Sequence, residues 1–98
     1  MSFIQVIEFE STREEDIRRL MDEWRDTTAD ERTATRTTLT RDRARPEHYV
    51  AIVRFPSYEE AMRNSKLPQT DKLARRMREI CDGPLRFMDL DVVRDEDL

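Results

Sequence analysis

Two short stretches constrain this chain more than anything else in it. FIQVIEF at residues 3–9 and HYVAIVRF at residues 48–55 are rich in β-branched and aromatic residues, and each is apolar at both parities. Phe3, Ile7 and Phe9 alternate with Ile4 and Val6, and Tyr49, Ala51, Val53 and Phe55 alternate with Val50 and Ile52. Successive side chains of a strand point to opposite faces, so a strand apolar at both parities has to be covered on both faces. A chain of 98 residues makes one domain with a modest core. Two such strands therefore belong at the centre of one small sheet.

The intervening segments supply the rest. Residues 11–26 read as a helix, because Ile17, Leu20, Met21 and Trp24 fall at i, i+3, i+4 and i+7. Ser11 with Glu14, or Thr12 with Glu15, offers a capping box at its start. TATRTTLTR at 33–41 is β-branched and polar, which suits an edge strand. After Phe55-Pro56, Ser57 and Glu60 cap a new helix. Pro68 breaks it, since an interior proline costs about 3 kcal/mol. Thr70 is expected to cap the next segment, whose inner stripe is Leu73, Met77, Ile80 and Cys81. Gly83, the only glycine, is expected at the left-handed position just past that helix, with Pro84 enforcing the stop. LRFMDLDVV at 85–93 gives the last strand. The domain is expected to span 1–94, with 95–98 an acidic tail.

The order β-α-β-β-α-β predicts an α+β, ferredoxin-like domain: a four-stranded antiparallel sheet with two helices, the second broken, on one face. Right-handed crossovers are expected to set strands one and three side by side as a parallel central pair, with two and four outside. Both doubly apolar strands then lie at the centre. The second sheet face would be an apolar patch of the kind soluble monomers rarely expose. A homodimer through that face, closing a two-chain α/β barrel with helices outside, is the expected cover. RDEDL at the C-terminus is too acidic for that role.

Composition excludes several functions. Net charge is −4, and eighteen Lys and Arg are interleaved with twenty-two acids. No basic stripe is present to displace counterions from phosphates, so nucleic acid is not an expected partner. Cys81 and His48 are each single, which argues against a disulfide, a zinc site and a nucleophilic triad. No metal or cofactor is expected. MSFIQVIEF lacks a basic leader region, and no apolar run nears the ~20 residues of a membrane span. A cytoplasmic location without membrane contact is expected.

YEEAMRNSKLPQTDKL at residues 58–73 carries a resemblance. The chain resembles the dimeric α/β-barrel superfamily, and within it the antibiotic-biosynthesis-monooxygenase-like group. Members often have a Glu-Ala pair, then His or Asn, then Pro four residues on, then a polar and an apolar residue. Glu60-Ala61, Asn64, Pro68, Gln69 and Leu73 take those places. Two positions depart from the pattern: Phe55 stands where many members have Trp, and Gln69 where a His commonly follows the Pro. Haem-degrading relatives pair an Asn on the first strand with Trp and His on the second helix. Here the first strand has Gln5, and Trp24 and His48 lie elsewhere. The resemblance implies a cofactor-independent monooxygenase or isomerase acting on an aromatic or polyketide-like small molecule. A non-catalytic small-ligand-binding or stress-linked dimer is the alternative, and haem binding or degradation a lesser one.

Candidate site residues follow from chemistry and resemblance together. Asn64 would hydrogen-bond a substrate carbonyl or enolate oxygen, and Tyr49 would donate a hydrogen bond or move a proton. Trp24 would stack on an aromatic ligand, Arg36 would orient an anionic one, and Gln69 and Leu73 would flank a pocket mouth. Each has a plainer role: Trp24 and Leu73 as core, Tyr49 as packing, Asn64 as a helix-end residue, Arg36 in a cross-strand pair. His48 reads as solvated, Cys81 as a small buried hydrophobe, and Asp89 and Asp91 as an outer-strand pair about 6.5 Å apart.

Overall fold

A computed structural model describes residues 2–98. Chain order is β1 (Phe3–Glu10), α1 (Glu14–Thr27), β2 (Arg36–Arg41), β3 (His48–Phe55), α2 (Tyr58–Ser65), α3 (Pro68–Ile80) and β4 (Arg86–Asp91). The sheet order is β2-β3-β1-β4. The doubly apolar strands are indeed the central pair, but they run antiparallel, with Val6 opposite Ile52. The expectation of a parallel pair was wrong for a topological reason. After α1 returns the chain, β2 runs the way β1 does. The β2–β3 hairpin then reverses direction, so β3 opposes both neighbours.

The sheet separates two faces. Phe3, Phe9, Tyr49, Ala51 and Phe55 are buried on the helix side with Ile17, Ala61 and Met77. Phe9 stacks on Tyr49 with ring centroids 5.6 Å apart. Burying such side chains contributes about 1.5–3 kcal/mol each. Ile4, Val6, Val50 and Ile52 occupy the opposite face. There Met88 and Leu90 stay 49% and 39% exposed. The tail meets this face at one corner, where Asp95 lies 3.2 Å from Arg54.

Two expected caps have other partners. No side chain caps α1. Ser11 is fully buried, accepts the Arg13 N–H at 3.0 Å and donates to the Ile80 carbonyl at 2.8 Å. It thereby ties the entry of α1 to the exit of α3. α2 starts as expected, with the Ser57 hydroxyl accepting the Glu60 N–H. α3 starts at Pro68 itself, with Leu67 as its N-cap. Proline at the first helical position lacks only an N–H that had no partner anyway. Thr70 sits inside that first turn and caps nothing. Gly83 has φ +109°, but two residues beyond the C-cap Cys81, where the chain turns into β4.

Candidate functional site

Between the helix face of the sheet and the three helices lies a cavity of about 410 Å³, floored by Ile7, Ala51 and Val53. Met21, Trp24, Asn64, Thr70 and Leu73 line it from the helices. Its position follows from the break in the second helix. α2 turns Ala61 and Asn64, three residues apart, inward on one face. The chain then closes a turn, with the Leu67 N–H on the Asn64 carbonyl at 3.2 Å, and restarts at Pro68. Asn64 is left in the last turn of one helix, facing the first turn of the next.

Asn64 is 5% exposed. Its Oδ1 accepts the Thr33 N–H at 3.3 Å, which fixes the orientation of the amide. Its Nδ2 has no acceptor among the described residues. Trp24 reaches across from α1, and its Nε1–H donates to the Thr70 hydroxyl at 2.9 Å. That hydroxyl uses an oxygen lone pair on Trp24 and keeps its own proton for another acceptor. Two hydrogen-bond donors therefore line a largely apolar, aromatic-walled space. The Arg32 guanidinium lies 5.6 Å from the centroid of the Trp24 ring. Asp22 also lines the cavity, but it is 3.3 Å from Arg25.

Of the residues singled out from sequence, Asn64, Trp24 and Leu73 meet at the cavity. Arg36 touches it only at the rim, because its register opposite Arg54 sends its side chain from the other face of the sheet. Gln69 lies outside. Its Nε2 donates to the Thr27 carbonyl at 3.4 Å, and it borders a separate pocket of about 70 Å³. Tyr49 also lies outside, at the far end of the core, where its hydroxyl donates to Glu14 at 2.9 Å. Burial first, then the Glu14 carboxylate, pushes the Tyr49 phenol above its ordinary range. The Tyr49 hydrogen bond, aided by Arg41 and Arg18, holds Glu14 below its own. His48 is on the opposite sheet face, between Asp42 at 3.3 Å and Glu8 at 3.8 Å. Burial raises the Cys81 thiol, as suits a packed residue. Among the described residues, no three His, Cys, Asp or Glu are placed to hold a metal ion. No helix among them is long and apolar enough to cross a membrane.

Most lining residues were not site candidates from sequence, and three polar ones matter here: Gln5, Arg32 and Thr70. Only Gln5 left a signal, as the one polar residue on the helix-side parity of FIQVIEF. Its Nε2 donates to Asp89 at 3.1 Å. Thr70 meets Trp24 across 46 residues of chain, and no local pattern marks such a pair.

No protein-family model matches the chain, and no curated protein matches it in sequence. Solved structures do match. SnoaB, a cofactor-independent oxygenase from Streptomyces nogalater, superposes with a TM-score of 0.80 at 16% identity, over 96% of this chain and 95% of that one. Rv0793 from Mycobacterium tuberculosis gives 0.80 at 14% identity, over 99% and 100%. A structure described as an antibiotic biosynthesis monooxygenase gives 0.74 at 17%, over 96% and 100%. The chain thus has the ferredoxin-like fold of antibiotic-biosynthesis-monooxygenase-like proteins. At these identities the likeness is one of fold, and fold alone does not assign a reaction.

Proposed function

We propose that the cavity binds a flat aromatic or polyketide-like small molecule, and that the chain acts on it as a cofactor-independent monooxygenase or isomerase. The observation that carries this reading is Asn64: a residue 5% exposed that lines the cavity, its amide oriented by Thr33 and its Nδ2 without a protein acceptor among the described residues. That Nδ2 keeps its N–H donors free of protein acceptors, and a ligand oxygen would take one of them. If that oxygen gains negative charge as the substrate gives up its acidic C–H proton to solvent water, the Asn64 amide and the Thr70 hydroxyl are the donors at the cavity that would stabilise it. The resulting electron-rich enolate is the form that reacts with O₂ or takes its proton back elsewhere. A neighbour of this fold described as a cofactor-independent oxygenase supports the reaction class.

One observation favours a second reading, a non-catalytic ligand-binding dimer. The carboxylate lining the cavity, Asp22, is paired with Arg25, so the protein supplies no evident base. Haem has less support, since His48 faces away from the cavity. Dithranol, a hydroxyanthrone, separates the first two readings in an oxygen electrode. Enzymatic O₂ uptake is expected, falling about 100-fold in Asn64→Ala if this donor serves the transition state. Binding without uptake selects the second reading, and no binding removes both. We also infer a homodimer through Ile4, Val6, Val50, Ile52, Met88 and Leu90.

A further inference from the structure

The charges around the cavity do not balance. Four charged residues line it: Asp22, Arg25, Arg32 and Arg36. Arg25 lies within ion-pair distance of both Asp22 and Asp26, at 3.3 and 3.1 Å. Arg32 and Arg36 have no carboxylate within ion-pair distance among the described residues. The uncompensated charge at the cavity is therefore positive, on a chain whose net charge is −4. Arg32 is also held in place. One Nη1–H donates to the Arg25 carbonyl at 2.9 Å, and the guanidinium lies against the Trp24 ring. A guanidinium has five N–H donors in a planar fork that matches a carboxylate. The Arg25 carbonyl occupies one of the Arg32 nitrogens, and the rest of the fork is free of acids.

Resting on the reading of this cavity as an aromatic-ligand site, we propose that its ligand is an anion. The flat apolar body lies over the sheet floor beside Trp24. A carboxylate at its edge is taken by the Arg32 guanidinium, with Arg36 adding positive potential at the rim. Arg32 is then a binding and selecting residue rather than a latch on Trp24.

Trp24 is the only tryptophan, so its emission reports on the cavity directly. The test titrates two probes of one shape, naphthalene-2-carboxylate and naphthalene-2-carboxamide, at pH 7.5. Calorimetry runs in parallel, because replacing Arg32 alters the surroundings of the indole. The carboxylate is expected to bind about 10-fold tighter or better, with the advantage shrinking as salt screens the charge. In Arg32→Gln the ratio of the two affinities falls to near one. Arg32→Lys keeps part of it, and Arg36→Gln lowers it less. Far-UV circular dichroism checks the fold of each variant, and the Lys and Arg36 variants keep the test open if the Gln variant unfolds. Equal affinities in the wild-type protein, or a preference that survives Arg32→Gln, overturn the charge assignment and leave the cavity reading standing. Failure of both probes to bind overturns the two together.

Discussion

Two buried residues with polar groups, Asn64 and Tyr49, do different work. Asn64 lines the cavity, satisfies Thr33 with one end of its amide and leaves the other without a protein acceptor among the described residues. Tyr49 commits its hydroxyl to Glu14, and so belongs to the framework. The pair makes a signed pH prediction. The Tyr49 hydroxyl, then Arg41 and Arg18, hold the Glu14 carboxyl below its ordinary value of 4.5. A depressed carboxyl contributes stability that is present above its unfolded-state value and is lost as pH falls through the folded one. Urea midpoints should therefore drop between about pH 5 and pH 3, and Glu14→Gln or Tyr49→Phe should flatten part of that drop. An unchanged acid limb in both variants would show that the contact contributes nothing to stability. In the core, Ile17→Ala removes a side chain with no exposure, and should destabilise by about 2–5 kcal/mol in the same assay.

At the level of elements, local signals were legible and tertiary ones were not. Ser57 and Pro68 lie within twelve residues, and each acts on backbone close by, whereas the Glu60 carboxylate pairs with Arg63 at 3.0 Å instead of closing the capping box. α2 accordingly begins where its cap is, and the break falls at the proline. Ser57→Ala should lower stability by about 1 kcal/mol. Because α2 carries Asn64, it should also weaken ligand binding more than an exposed substitution of equal stability effect, such as one at Glu59. Ser11 and Thr70 look equally like caps in sequence. Each was drawn off by a partner far along the chain, Ile80 for one and Trp24 for the other. The site shows the same division. Trp24 and Leu73 followed from helical stripes and Asn64 from the resemblance. Arg32 lies in a segment, RDTTADER, with no period to read, and its place against Trp24 exists only once the chain is folded.

The whole molecule returns to the two central strands. Their double apolar parity located them in the sheet, although not their relative direction, which hairpin topology decides. It also implied two covered faces. The helices cover one. On the other, Val6 stands in one row with Ile52 and Met88, and Ile4 beside Leu90 in the next. Stable interfaces bury at least ~1,000 Å² in total, and these rows form an apolar centre for one, rimmed by Arg54, Glu8 and Arg86. Two copies packed face to face would remove the exposed Met88 and Leu90 from water and leave both cavities, on the helix side, free for ligand. The protein should therefore sediment as a dimer at micromolar concentration. Ile52→Lys puts a charge at the centre of the face without touching the cavity wall, and should yield a monomer with the cavity intact. Trp24 quenching by an aromatic probe would register that intact cavity. A wild-type monomer at about ten micromolar would sink the barrel. A monomeric Ile52→Lys protein that had also lost the probe would mean that the second subunit holds the cavity in shape, and that assembly and binding are one property.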